Sequence, residues 1–520
     1  MHHRRIPHGA QEAKVLARHP RPKAPRKYFS IDDPTLAMHN GNVATDQSSA
    51  RLVETHSAVV VFYGDRAYKV KKPVDLGFLD FRSLESREQA CRRELELNRR
   101  LSPDVYLGVA EMRGPDNESC EFMVVMRRLE DGCRLSECLL RHEDVTDALR
   151  SVAKQIASLH AANPTDPAFA HVATRDAVRG LWLQGLDQMG SLAAKIVDPN
   201  LHKHIRLLAL AFLSGRERLF ANRIAQGHIR EGHGDLQTQD IFVLPDGPRI
   251  LDCLDFDDEL RWADVVADVG FLAMDLERLG HLDSATQFLG FYRDYSNERW
   301  PPALEHHYIA LRAHIRAKVA ALRAIQTGEV TPDIEQLQRL CAAHLVAAQP
   351  RLVIVGGSPG TGKSTLAKHL GEHIDAVVVR TDEVRQQLNF DEAQRYQPQA
   401  IDKVYEVALH QARVLLEAGE HVIVDATWSH AQHRLQAQAL AENTTSTFAE
   451  LRCIAAPSVC AARIVQRQSG GFDASEATPE IASAIADEFD PWPTATSIST
   501  EAPFEDSLPI AVRACGFDIA

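Results

Sequence analysis

Hydrophobic and polar positions change their period along the chain. The opening pattern, SSARLVETHSAVVVFYGDRAYKVKKPV from Ser48, alternates on either side of Gly64 and predicts strand, turn, strand. A helix is predicted over Arg87 to Leu101 and an apolar strand over Phe122 to Met126. Val145, Leu149, Val152, Ile156 and Leu159 recur at steps of four and three, the spacing of one buried helix face. Leu201 to Ala225 and Leu304 to Gln326 also read as helical, and between them lies a compact acidic stretch from His233 to Glu277. After the helical stretch Ile334 to Ala348 the regime changes at Arg351. Strand RLVIV, a glycine loop, a helix, strand AVVV, a long helix to Gly419 and strand HVIV alternate as βαβ units, which implies a parallel sheet. The polar segment Thr494 to Asp506 reads as loop.

The two regimes predict two folded domains, residues 36–340 and 350–520, behind a basic arm of residues 1–35 expected to be disordered. At 520 residues the chain exceeds what one hydrophobic core usually covers. The first 30 residues carry eight Lys or Arg against the single acid Glu12 and have no apolar core, so they are not a secretory signal. Nine scattered cysteines without a CxxC pair read as reduced thiols of a cytoplasmic protein. No apolar run approaches the ~18 residues of a membrane span. The net charge of −13 disfavours nonspecific duplex binding, so small anionic ligands need dedicated pockets.

One such pocket is written at residues 357–364. Gly357, Ser358, Pro359, Gly360, Thr361, Gly362, Lys363 and Ser364 match GxxxxGK[ST] between an apolar strand and a helix carrying Leu366 and Leu370, and with Thr365 they are the candidate nucleotide-binding residues. Small residues let successive backbone N–H groups turn onto phosphates; Lys363 reaches the β- and γ-phosphates and Ser364 offers a hydroxyl to Mg²⁺. Two carboxylates follow at strand ends, where open α/β sheets hold ligands. Asp425, after HVIV, fits a metal or water position. Asp382 with Arg385 is placed to hold and deprotonate an acceptor hydroxyl, the alternative being a helix N-cap. Arg463 and Arg467, four apart on one helix face, are candidates to close over the transferred phosphate, and Arg434 to hold substrate. The HxxEH look-alike His369 to His373 sits one turn past the phosphate loop and is read as ordinary helix surface.

On the phosphate loop, TDEVR, VDATW with Arg434, and RIVQRQ followed by DASEA, residues 351 to 500 resemble the P-loop kinases of the gluconate kinase, zeta toxin and polynucleotide 5′-kinase type. The resemblance implies Asp382 as acceptor base and the Arg463 region as a lid, and leaves the acceptor open.

His233-Gly234-Asp235-Leu236 followed by Asp240, then ILDCLDFDD, resembles the aminoglycoside phosphotransferase and protein-kinase-like fold. That resemblance implies an α+β N-terminal domain in which Asp235 accepts the acceptor's proton. Asp240 and Asp255 would hold Mg²⁺, with Asp252 as the alternative ligand. Lys69 would meet the α- and β-phosphates, with Lys71 as competitor, and Glu94 would be its helix partner. Asp264 and Asp268 would hold the catalytic loop. Asp240 stands where the family has Asn and Gln237 where it commonly has His, and the hairpin at Gly64 lacks a full GxGxxG.

Together the halves resemble a bacterial family of fused predicted kinases. The implied function is ATP- and Mg²⁺-dependent transfer of γ-phosphate to small-molecule hydroxyls at two sites. Two other readings stay open: a nucleotide-binding regulator with one inactive half, and a polynucleotide 5′-hydroxyl kinase, which the composition does not favour.

Overall fold

The computed structural model describes residues 50–517 apart from residues 56, 76–79, 164, 392, 393, 396, 471–484, 486 and 502. The basic arm and the DASEA segment lie outside the described residues, as do the side chains of residues 193–195 and 467–470.

Strands β1 (Arg51–Glu54), β2 (Ala58–Tyr63) and β3 (Arg66–Lys71) precede helix α1 (Leu84–Arg99), followed by β4 (Tyr106–Arg113) and β5 (Ser119–Arg127). They form one antiparallel sheet in the order β1-β2-β3-β5-β4. The β-branched run of β2 suits a pleated, half-buried surface. Ser83 starts α1 by accepting a hydrogen bond from the Ser86 amide. Cys91 and Leu97 bury the helix against the sheet, which carries Glu94 to the face of β3 shared by Lys69 and Lys71, two residues apart.

The next portion is mainly helical: α2 (Leu135–Leu140), α3 (Thr146–Ala162), α4 (Arg175–Ile196), α5 (Pro199–Ser214) and α6 (Glu217–Ala225). Short strands β6 (Ile229–Glu231), β7 (Ile241–Leu244), β8 (Gly247–Ile250) and β9 (Trp262–Asp264) carry the acidic stretch. Helices α7 (Val265–Arg278), α8 (Leu282–Ser296), α9 (Pro302–Thr327) and α10 (Asp333–Ala347) follow. The stripe Val145, Leu149, Val152, Ile156, Leu159 is buried as its spacing predicts.

The expected continuous helix over Leu201 to Ala225 is instead broken at Gly215 and Arg216. Here the helical lobe meets the turn Thr444–Ser446 of the C-terminal half. A Cβ on Gly215 would lie 2.2 Å from the Thr444 carbonyl oxygen. The fully buried Arg216 guanidinium donates to the carbonyls of Gly215 at 2.7 Å and Thr445 at 3.1 Å. Gly215→Ala therefore destabilises the protein by about 1–3 kcal/mol, the usual cost of overpacking. The measurement is the urea midpoint of the full chain; a midpoint unmoved by the substitution would show the contact to be loose.

Only Ala348, Gln349 and Pro350 join α10 to β10 (Arg351–Gly356). The C-terminal half continues with α11 (Lys363–Ile374), β11 (Ala376–Arg380), α12 (Thr381–Gln387), α13 (Pro398–Glu417), β12 (His421–Asp425), α14 (Ala431–Asn443), β13 (Thr447–Ile454), α15 (Pro457–Gly470), β14 (Thr496–Ser499) and a last helix, Phe504–Ala514. All five strands pair in parallel, in the order β11-β12-β10-β13-β14. The strand order reverses at β10, so the crevice for a ligand opens at its carboxyl end.

The segment Thr494 to Asp506, expected as loop, contributes β14 and the start of the last helix. Ile498 buries completely on the sheet while polar neighbours flank it. A single apolar residue in four is too weak a periodic signal to read as a strand. No described helix is long and apolar enough to cross a membrane. All nine cysteines are unpaired thiols.

Candidate active sites

In the C-terminal half, β10 delivers the chain into a loop that only glycine geometry closes. Gly357, Gly360 and Gly362 have φ of 143°, 84° and 82°, where side chains are strained. A Cβ on Gly360 would also lie 2.6 Å from the Cys460 carbonyl oxygen. Gly362 takes the cap position of α11 without a side chain, leaving the helix's first amides open, an arrangement suited to anions. Lys363 makes no hydrogen bond or ion pair among the described residues. A cavity of about 610 Å³, lined by Lys363, Ser364, Thr365, Arg463, Thr500 and Phe504 among others, opens in front of it.

Arg463 lines this cavity, but its guanidinium braces the loop. It donates to the Thr500 carbonyl at 2.9 Å and hydroxyl at 3.1 Å, and reaches the Gly360 carbonyl at 3.4 Å. Thr500 in turn donates its hydroxyl to the Thr361 carbonyl at 2.7 Å. The side chain of Arg467 lies outside the described residues.

Asp425 ends β12 in register with Val355 of β10, beside the loop. Its Oδ1 is buried without a hydrogen-bond partner, and its Oδ2 lies 3.4 Å from Arg380 Nε. An orphaned carboxylate oxygen there suits a divalent cation or an ordered water. Asp382 lies in the first turn of α12, whose N-cap position is Arg380, so Asp382 is not the capping residue, and no side chain caps this helix. Its carboxylate accepts from Arg385 at 2.6 Å and is one-fifth exposed. Arg434 is placed differently from a substrate contact. It donates to the carbonyls of Trp428, Ser429 and Pro491, clamping the turn after β12, in which Trp428 holds a left-handed φ of 58°. The HxxEH look-alike gathers no ligand set: His369 bonds the Thr365 carbonyl, and no group of three potential ligands suited to a metal occurs among the described residues.

In the N-terminal half, the loop carrying Asp235 is held from below by α7. The Asp268 carboxylate accepts from the amides of His233 and Gly234, both at 2.8 Å. Its other partner is His160 at 3.0 Å, which bonds Tyr292. Against the cost of burial, His160 and these amides keep Asp268 well below the ordinary carboxylate range. Two turns along, Asp275 accepts from the Thr238 amide and hydroxyl. Asp264 caps α7 and grips Arg223 through two 2.7 Å bonds, so it anchors the helix and not the loop.

Gln237, standing where a histidine is common, donates to Asp235 at 2.8 Å and fixes the carboxylate's orientation. Burial pushes the Asp235 carboxyl up to about 6, with Arg316 and Arg312 pulling it down and Asp252 adding to the rise.

Both lysines of β3 reach Glu94. Lys69 lies 2.8 Å from Glu94 and 2.7 Å from Asp252, whereas Lys71 lies 2.8 Å from Glu94 and 2.6 Å from Asp255. This corrects the expected pairing of Asp255 with Asp240. Asp255 is tied to Lys71, and Asp252 is the carboxylate whose charge acts on Asp240. The cause is local: Asp252 holds a left-handed φ of 64°, which the run of acids could not announce. Burial, then the charges of Asp252 and Asp235, push Asp240 well above its ordinary range. Carboxylates so crowded suit a divalent cation held by Asp240 and Asp252.

Sequence reasoning missed Asp275, Thr500, Arg380, Arg312 and Arg316. The two last stand four apart on α9 and look like surface charge, and Thr500 belongs to no motif.

Comparison with known proteins finds two matched regions. The Phosphotransferase enzyme family model matches residues 63–306, and an AAA domain model matches residues 352–492. The uncharacterized protein Rv2004c of Mycobacterium tuberculosis is 41% identical over 490 residues, covering 92% of this chain and 98% of the relative. Among solved structures, a choline/ethanolamine kinase family protein from Mesorhizobium loti is 13% identical, covers 61% of this chain and 95% of its own, and has a TM-score of 0.38. The APS kinase CysC of Mycobacterium tuberculosis is 19% identical, covers 32% and 97%, and has a TM-score of 0.27.

Proposed function

We propose, from the premise that the chain belongs to the family of two-domain proteins that includes Rv2004c, a phosphotransferase domain followed by a P-loop kinase domain, that each half moves γ-phosphate from ATP to a small-molecule hydroxyl. The observation that carries the reading is the phosphate loop: open helix amides, and a Lys363 without a partner among the described residues, beside a cavity of nucleotide size.

In each half the acceptor oxygen bonds to the γ-phosphorus as the bond from that phosphorus to the β–γ bridging oxygen breaks, and ADP leaves. The acceptor's proton passes to Asp235 in the N-terminal half and to Asp382 in the C-terminal half. Asp240 and Asp252 in one half, and Ser364 with Asp425 in the other, would hold Mg²⁺, which would supply positive charge against the phosphates. Lys69, positioned by Glu94, meets the α- and β-phosphates in the first half, and Lys363 meets the β- and γ-phosphates in the second. Arg385 holds the Asp382 carboxylate in place.

The deciding experiment follows labelled γ-phosphate from ATP into a fractionated metabolite extract and, separately, onto oligonucleotide 5′-hydroxyls. It compares the wild-type chain with chains disabled by Lys363→Ala or Asp252→Asn. Each single variant retains the products of the other half; label that survives the double variant would overturn the assignment. Within the C-terminal half, Asp382→Asn lowers acceptor phosphorylation about 10²-fold or more. ATP binding and the melting temperature stay near wild type, because Asp382 does not cap its helix. Transfer at the wild-type rate would remove Asp382 from the mechanism.

A further inference from the structure

Helix α9 brings two arginines to act on Asp235, in a half otherwise crowded with carboxylates. Arg312 is positioned by α9 and donates its Nε to the Ala267 carbonyl at 2.9 Å. Ala267 immediately precedes Asp268, the residue that holds the His233 and Gly234 amides. The Arg312 guanidinium also lies over the Phe271 ring at 4.8 Å, so its position is fixed from two sides. Arg316 follows one helical turn later, on the same face of α9. It is half-buried, and no hydrogen bond or ion pair to its guanidinium occurs among the described residues. Of the opposite charges acting on Asp235, Arg316 is the strongest and Arg312 the next.

An acceptor hydroxyl must come within hydrogen-bond reach of Asp235 to give up its proton. The rest of that acceptor then lies beside Arg312 and Arg316. A half-buried guanidinium with open donors repels an ammonium and grips a planar or tetrahedral anion through two parallel hydrogen bonds. Asp252 already has a cationic partner of its own in Lys69, at 2.7 Å.

We infer that the acceptor phosphorylated by the N-terminal half is an anionic hydroxy compound, a sugar phosphate or hydroxy acid in chemical class, whose phosphate or carboxylate is read by Arg316 with Arg312 as the fixed wall of the pocket. The inference rests on the phosphotransfer reading of Asp235.

The test uses the full chain with Lys363→Ala, so that only the N-terminal half turns over. A metabolite extract is split on an anion exchanger at pH 7 into retained and unretained pools, and each is offered with labelled ATP. Label enters compounds of the retained pool, and Arg316→Ala lowers the initial rate at least tenfold, with Arg316→Lys recovering part of the loss. Phosphatase treatment of the retained pool beforehand separates phosphate monoesters from carboxylates. Label confined to the unretained pool, or a rate indifferent to Arg316→Ala, overturns the anionic acceptor while leaving phosphotransfer intact. If neither pool is labelled, the phosphotransfer reading falls. The anion site is then decided by inorganic phosphate alone, titrated at constant ionic strength against the melting temperature of the full chain. Stabilisation that shrinks with Arg316→Ala supports the site, and equal stabilisation of both proteins overturns it.

Discussion

Lys363→Ala abolishes phosphoryl transfer by the C-terminal half, with a fall of about 10³-fold or more when the N-terminal half is silenced by Asp252→Asn in the same chain. The ammonium has no protein partner among the described residues, and it stands where α11 opens its first amides. Amides supply partial charges fixed in direction; they do not replace a full positive charge that follows the γ-phosphoryl as it moves. Losing one preorganised donor at a developing charge costs ~10²–10³ in rate, and here the donor is ionic. The reading is steady-state transfer of labelled phosphate, together with nucleotide affinity. Turnover unchanged by Lys363→Ala would mean that the loop binds something other than the reacting phosphate.

Asp235→Asn has the second large effect, a loss of about 10²–10⁴-fold in transfer by the N-terminal half, measured with Lys363→Ala in the same chain. The asparagine keeps the shape, and Gln237 can still donate to its carbonyl oxygen, so the loop held by Asp268 and Asp275 stays in place. What disappears is the acceptor for the proton. Nucleotide affinity is retained, because Lys69 keeps its ion pairs with Glu94 and Asp252. A collapse of ATP binding in this variant would instead make Asp235 a cation or scaffold residue.

The two variants rest on residues that short motifs could find. A glycine spacing tied to a lysine, or a His-Gly-Asp run, names its residues because backbone and side chain act within one turn. The parallel sheet was legible for a similar reason: RLVIV and HVIV are apolar without alternation, as strands covered on both faces must be. The choice between Asp252 and Asp255, and between Lys69 and Lys71, was not legible. Both pairs differ by two or three residues, and a left-handed Asp252 decides which carboxylate faces Asp240. Arg434 looked like a substrate ligand because it follows a strand-end aspartate, yet three carbonyls use its donors. Arg312 and Arg316 left no trace at all, since a helical pair of arginines reads as solvent-facing until the helix's neighbour is known.

The three residues between α10 and β10 have a mechanical consequence. Ala348 is fully buried and Gln349 nearly so, with the amide of Gln349 bonded to the Leu208 and Leu345 carbonyls. Such a joint acts as a weld and not as a tether, and the Gly215–Thr444 contact is a second weld some distance along the seam. Each catalytic cleft must then open and close by movements internal to its own half, as two vices bolted to one bench do. A pair of fluorophores, one on each half, would keep its energy-transfer efficiency through a full cycle of nucleotide binding and release.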